Sequence, residues 1–265
     1  MLFKILKRIG LYYSLKYYPP FYKIRLKILN PSLAKSIRAE NKLFDKLLPE
    51  GKLNCVFDGG ANVGHLTAYF QSKFRKVIAI EPVPGNAEEL RGRFKGNENI
   101  VIVESIIDCE EGSKTLFISA DKDHSVSTVN KAWSDWWQKE NKKQLIQYGN
   151  SIKVPTVTLP QLIERYGVPD FIKLDIEGNE WRAISLLSQP VSMISFETHL
   201  PEFLNDALKI FDHLDTLCSE LLVNATINDE TLFFHEFLSV TDFKKWFTGF
   251  HPRYAQIFCK LNPSI

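Results

Sequence analysis

Residues 56–70 read VFDGGANVGHLTAYF: an apolar run, an acid, a stretch holding three glycines, then helical spacing. An ordinary turn from strand to helix needs one or two permissive residues. Here Asp58, Gly59, Gly60, Asn62 and Gly64 crowd between them. Glycine lets the backbone turn sharply and lets a ligand approach it closely. The first turn of a helix offers unpaired N–H groups to an anion. A dinucleotide site asks for G-x-G-x-x-G, but counted from Gly59 the second glycine is Ala61, and from Gly60 it is Asn62. The pattern present is D-x-G-x-N-x-G, and an acid at the strand end suits a cation and repels a pyrophosphate.

The next apolar run, 76–80, ends in Glu81 and Pro82. A carboxylate at that place can accept hydrogen bonds from both hydroxyls of a ribose, as the acid of dinucleotide folds does. The two signals together describe a ligand with a ribose, an ammonium and a carboxylate, and no pyrophosphate. S-adenosylmethionine meets that description and is the expected cofactor.

Working outward, the spacing predicts helices over 36–48, 63–72, 86–94, 159–166, 180–187 and 202–219. Strands are expected at 54–58, 76–80, 100–104, 115–119, 152–157, 171–176 and 191–196, with 221–226 and 231–235 as a closing pair. Near-continuous apolar strands alternating with helices imply an α/β fold whose sheet is mostly parallel, with helices on both faces. Ligands in such folds sit beyond the carboxyl ends of the strands. That selects 58–64, Glu81, 104–108, 175–178 and 197–199. The segment 120–150, with AWSDWWQK at 132–139, breaks the alternation and is expected as a lid or substrate insert. The chain divides into an arm (1–35), a main domain (36–238) and a C-terminal extension (239–265).

A composition of 45% hydrophobic and 24% charged residues is that of an ordinary globular protein. The net charge of +2 hides an asymmetry: nine of the 33 Lys and Arg residues precede the first acid, Glu40, and the 31 acids outnumber the bases that remain. Basic residues interleaved with aromatics in the arm suit a helix on an anionic membrane surface, or equally a helix packed on the domain with its lysines solvated. No motif accompanies the charge that would point to nucleic acid. Lysines interrupt the apolar residues too often for a membrane span. Cys55, Cys109, Cys218 and Cys259 show no C-x-x-C spacing, so thiols in a reducing, cytoplasmic compartment are expected, the protein lying free or peripherally at the inner face of the membrane.

VFDGGANVGHLT (56–67), IAIEPVP (78–84) and VPTVTLPQLIERYGVPDFIKLDIEGNEW (154–181) resemble, in order and spacing, the FkbM family of S-adenosylmethionine-dependent methyltransferases. The resemblance covers roughly 54–200. It implies a class I methyltransferase (Rossmann-like) fold with a mostly parallel seven-stranded sheet, and methyl transfer to hydroxyls of sugars or polyketide-type compounds. By resemblance Asp58, Gly60, Asn62 and Gly64 hold the methionine part of the donor and Glu81, followed by Pro82, the ribose. Ser105, Ile106 and Asp108 lie near the adenine. Pro160 stands where the family usually has Asp, which removes a possible helix cap.

Two further clusters carry chemistry. In KLDIEGNE (173–180) alternation puts Lys173 and Asp175 on one strand face, and a buried lysine is costly unless paired. Asp175 or Glu197 is its expected partner. Asp175, Glu177 and Glu180 also suit the start of the following helix. Four acids near one cleft also form a Mg²⁺ set, but the lysine already supplies positive charge, so no metal is expected. In ISFETH (194–199), Glu197 and His199 leave a strand at the cleft rim. His199 is the first choice as general base, with Asp175 the alternative and Glu197 orienting His199 or pairing Lys173. The expected function is O-methylation of a glycan or lipid-linked glycan, with a small-molecule or glycan acceptor as partner. The alternative is an inactive glycan- or membrane-surface-binding protein that keeps the fold. The intact glycine motif with Glu81 argues against that.

Overall fold

A computed structural model describes residues 19–119, 127–140, 148–249 and 252–261. Helices α1 (Pro19–Leu29) and α2 (Pro31–Leu47) precede the first strand. α2 begins five residues before the expected 36 because Asn30 accepts the Leu33 N–H at 3.1 Å and Pro31 takes the first turn, the residue types that start helices. α1 is packed on the domain: Tyr22 is buried, its hydroxyl lies 3.1 Å from His65 Nδ1, and the Arg93 guanidinium covers its ring at 4.1 Å. The remainder of the arm, residues 1–18, lies outside the described residues.

The apolar runs then alternate with helices. In chain order these are β1 (Leu53–Gly59), α3 (His65–Lys73), β2 (Phe74–Ile80), α4 (Pro84–Arg93), β3 (Ile100–Val103), β4 (Ile106–Ile107) and β5 (Gly112–Ser119). Next come α5 (Lys131–Glu140), β6 (Tyr148–Val157), α6 (Leu159–Tyr166), β7 (Phe171–Leu174), α7 (Glu180–Ile184) and β8 (Met193–His199). The chain closes with α8 (Leu204–Asp215), β9 (Leu222–Thr226), β10 (Leu238–Ser239), α9 (Val240–Gly249) and β11 (Tyr254–Lys260). The central sheet has eight strands in the order β10-β9-β11-β8-β7-β1-β2-β3. Seven were expected; the two-residue β10 adds an edge. β3, β2, β1, β7 and β8 run parallel, and β11 enters antiparallel between β8 and β9.

Two expectations are corrected here. The described residues of 239–265 are not an appended extension, because β11 is an interior strand whose Ile257, Phe258 and Cys259 are fully buried. For the same reason the partner of β9 is β11, with β10 on its other side, and 231–235 forms no strand.

Side chains of a strand alternate between faces, so each strand feeds two cores. Phe57, Ile172, Ile194 and Ile257 pack with Phe211, Phe243 and Phe247 on one face. Val56, Val77, Phe171 and Phe258 pack with Phe44 and Phe70 on the other. Each fully buried side chain of this size contributes about 1.5–3 kcal/mol. Within the described residues, 120–150 is not irregular throughout. It lies where β5 and β6 pair antiparallel in a second, three-stranded sheet, and it contains α5. Pro160 leaves α6 well capped. Thr158 accepts the Gln161 N–H while Gln161 accepts the Thr158 N–H, and the proline occupies the first turn.

Candidate functional site

The carboxyl ends of β1, β2 and β7 meet at the glycine turn. Gly60 donates to Ile80 O at 2.9 Å, and Asp175 donates to Gly59 O at 3.1 Å. Gly60 has φ +74°, and a Cβ there would overlap the Asp175 carbonyl oxygen. The first of the motif's glycines is therefore required by close approach of two strand ends. Beside it opens a cavity of about 310 Å³, walled by Gly60, Asn62, Glu81, Pro82, Ser105 and Ile106 on one side and by Asp175, Glu177 and Glu197 on the other. These groups come from strands far apart in sequence, brought together by the parallel order.

Glu81 is buried in the cavity wall. It accepts the Asn62 N–H at 2.8 Å and the Val83 N–H at 2.9 Å. Burial pushes its carboxyl up to about 7 despite those bonds. Asp58, Gly64 and Asp108 do not line the cavity. Asp58 is fully buried behind the turn, one oxygen accepting from Thr67 at 2.6 Å and the other, Oδ1, without a partner. Burial raises its carboxyl above the usual range, with Lys173 opposing. Gly64 caps α3 and faces Leu90 and Phe94. Asp108, expected near an adenine, is spent on structure: it accepts from Lys114 at 2.8 Å, Arg182 at 2.9 Å, Asn179 at 3.1 Å and the Cys109 N–H at 2.7 Å. Burial opposes its charge, but these donors hold it well below the usual carboxylate range.

On the acidic side, Lys173 is buried on β7 and donates to Asp175 Oδ2 at 3.1 Å. Burial pushes its pKa down, while Asp175, Asp58, Glu197 and Glu40 together push it further up, so it is held charged. Of the two partners expected for it, Asp175 makes the bond. Glu197 instead accepts from the Tyr254 hydroxyl at 3.1 Å, and that hydroxyl also lies 2.9 Å from Asp229 Oδ1. The phenol carries one proton, so both contacts are hydrogen bonds only when one of the two carboxyls is itself protonated and donates to the phenol oxygen. Burial and then Asp175 raise Glu197, and burial raises Asp229.

Glu177 has φ +55°, a left-handed backbone outside the range most side chains prefer. The insert holds it there. Thr128 Oγ1 donates to Glu177 O at 2.6 Å, Asn130 donates to Gly178 O at 2.6 Å, and Trp133 lies so close that a Cβ on Gly178 would stand 2.6 Å from its ring. Glu180 closes the same turn by accepting the Ile176 N–H at 3.1 Å. Glu177 lines the cavity, and burial, then Asp175, Glu197 and Glu180, raise its carboxyl well above the usual range.

His199 stands behind this wall. It borders a smaller cavity with Glu177, Glu197 and Trp133, not the larger one. Trp136 lies 4.9 Å from its ring, Tyr254 5.8 Å, and Trp133 and Trp137 each 6.0 Å. Burial lowers its pKa, so it is neutral near pH 7. Among the described residues no group of three or more His, Cys, Asp or Glu side chains is arranged to hold a metal ion. The four cysteines are thiols, and no described helix is long and apolar enough to cross a membrane. Sequence reasoning missed Tyr254, Asp229, Thr128 and Asn130. The run YAQIFCK at 254–260 was the available signal for β11 and hence for Tyr254.

The sheet order β3-β2-β1-β7-β8-β11-β9, with β11 reversed, and an acid-bearing glycine turn after β1 define the class I methyltransferase fold. The chain matches the model of the methyltransferase FkbM domain over residues 58–222 and belongs to that family. A methyltransferase FkbM from Methylobacillus flagellatus KT is similar at 15% identity and TM-score 0.49, covering 83% of this chain and 47% of its own. This chain therefore spans about half the length of that relative. A precorrin-6y C5,15-methyltransferase from Geobacter metallireducens GS-15 is similar at 13% identity and TM-score 0.42, over 84% of this chain and 87% of that one. Aeropyrum pernix fibrillarin, solved with natively bound S-adenosyl-L-methionine, is similar at 9% identity and TM-score 0.40, over 80% and 68%. None of the curated proteins matches the chain.

S-adenosylmethionine is the cofactor of this class, and the residues present fit it. Gly60 and Asn62 line the cavity beside Glu81, which accepts from Asn62, Val83 and, at 3.4 Å, Asn86 and keeps one lone-pair site for a ligand hydroxyl. Pro82, Val83, Ile106, Ile107 and Leu116 form an apolar slot in the same cavity, as an adenine requires.

Proposed function

We propose that the chain is an S-adenosylmethionine-dependent O-methyltransferase acting on a hydroxyl of a glycan or lipid-linked glycan. One observation carries this: Glu81 and Gly60 share a single cavity with Asp175, Glu177 and Glu197. A donor-sized slot and a set of proton-accepting carboxyls thus open onto the same space.

The bound donor supplies an activated methyl group on sulfur. The chain must hold the acceptor hydroxyl in line with it and take the hydroxyl proton, because an alcohol is a poor nucleophile until a base does so. We assign that base to Glu177, which lines the cavity on a backbone fixed by Thr128, Asn130 and Trp133. With the donor bound, the Glu177 carboxylate would take the proton of the acceptor hydroxyl as that oxygen gains the methyl group. Asp175, held by Lys173, positions the acceptor hydroxyl. His199 borders Glu177 from the smaller cavity and completes the route by which the proton leaves. Trp136 and Trp137, part-exposed beside His199, support a carbohydrate acceptor: aromatic faces pack on the apolar faces of sugar rings, and carboxylates accept from hydroxyls.

The test is methyl transfer from labelled donor to a panel of glycans, followed by mass spectrometry. Glu177→Gln is expected to lower kcat by about 10²–10⁴, the range of a lost general base, with donor affinity kept. Because the raised carboxyl must lose its proton before it can act, kcat in the wild type rises with pH, and the variant loses that limb. If His199→Asn takes the larger loss and the pH limb instead, His199 is the base. If no hydroxyl is methylated while an amine or carbon centre is, the O-methyl reading falls.

A further inference from the structure

Seven large hydrophobic side chains are exposed among the described residues, and three of them, Ile24, Ile28 and Leu29, belong to the eleven-residue helix α1. Ile28 and Leu29 are the most exposed of all, at 61% and 62%. At 100° per residue Ile24 and Ile28 lie on one stripe of α1, on the side away from Tyr22, which fastens the opposite side to His65 and Arg93. Lys27 on α1 and Lys35 and Arg38 on α2 are exposed and form no ion pair with described residues, and no acid occurs before Glu40.

We infer that this outer face of α1 is a docking surface for an anionic lipid bilayer, with Ile24 and Ile28 entering the acyl boundary and Lys27, Lys35 and Arg38 at the headgroups. Charge complementarity selects that occupant. A second copy of the chain would bring the same basic edge against itself, whereas anionic headgroups neutralise it. The helix is too short and too charged to cross, so it lies on the surface. Its anchorage has a consequence for the site. Tyr22 holds His65, the residue after Gly64, and Arg93 donates to Val63 O at 2.8 Å. A bilayer on the outer face of α1 is therefore separated from the glycine turn by one helix diameter, roughly 10–12 Å. The inference stands whether or not the acceptor is lipid-linked.

The experiment is sedimentation of the full chain with phosphatidylcholine vesicles, with and without phosphatidylglycerol. The wild type is expected to bind only the anionic vesicles and to come off as salt is raised. Lys27→Glu is expected to weaken partitioning roughly tenfold or more, from about 1 kcal/mol for each basic charge lost or reversed near the surface. The double variant Ile24→Glu, Ile28→Glu is expected to abolish it with thermal unfolding unchanged, since neither side chain is buried. Three results overturn the inference: no binding to anionic vesicles at low salt, binding that survives the double substitution, or a dimer in solution that the double substitution dissociates while vesicles are ignored.

Discussion

Replacing Gly60 with alanine tests the packing that builds the cavity. Two costs follow from the geometry. The residue sits at φ +74°, where a side chain costs about 1–2 kcal/mol. The new Cβ also overlaps the Asp175 carbonyl oxygen, which is main chain and cannot rotate away. The ends of β1 and β7 must part until the atoms reach ordinary contact, about 3.5 Å. That breaks the bond from Asp175 N to Gly59 O, and an unpaired buried amide costs about 1–3 kcal/mol. The sum is about 2–5 kcal/mol, or a fall in Tm of about 4–20 °C at this chain length. Gly96 supplies an internal control: its φ is +79°, but an added Cβ meets nothing within 4 Å, so Gly96→Ala carries only the first cost. Thermal and urea unfolding of both variants separates the terms. Equal losses in the two would refute the claim that Gly60 is needed for close approach.

Thr158→Ala removes one half of the box that caps α6 and is expected to lower stability by about 0.5–2 kcal/mol in urea unfolding. No loss would mean that Pro160 alone sets the helix start. Glu81 ionises only at about 7 in the fold, because of burial, so between its ordinary value and 7 the folded state holds a proton that the unfolded chain has lost. Stability from this group therefore falls as pH rises through that window. In the absence of ligand, the Tm of wild type relative to Glu81→Gln should drop between pH 5 and pH 8, and a pH-independent difference would contradict the burial account.

What the sequence makes legible is local. The glycine cluster after an apolar run at 56–60 and the acid closing 76–81 are contiguous signals, and of their residues Gly60 and Glu81 line the cavity while Asp58 lies behind it. The acidic wall is less legible. Glu177 resembles any acid at a helix start; its positive φ and its clamp by Thr128 and Asn130 exist only after the insert has folded back. Asp108 reads as a ligand contact because it follows the third strand, but Lys114 from β5 and Asn179 and Arg182 from the start of α7 reach it. β11 is as long as β1 and β2, but nothing in 254–260 shows that it will lie between β8 and β9. Tyr254 and Asp229, its contribution to Glu197, went unseen with it.

The central claim is that one cavity, bounded by Gly60 and Glu81, takes S-adenosylmethionine. Isothermal titration of the purified chain with S-adenosylmethionine, S-adenosylhomocysteine and NAD tests it directly. Both sulfur compounds are expected to bind at one site and to displace each other, NAD is expected not to bind, and Glu81→Gln is expected to weaken donor binding by about 1–3 kcal/mol, the cost of hydrogen bonds to a charged group. Tight NAD binding, or a donor affinity untouched by Glu81→Gln, would contradict it.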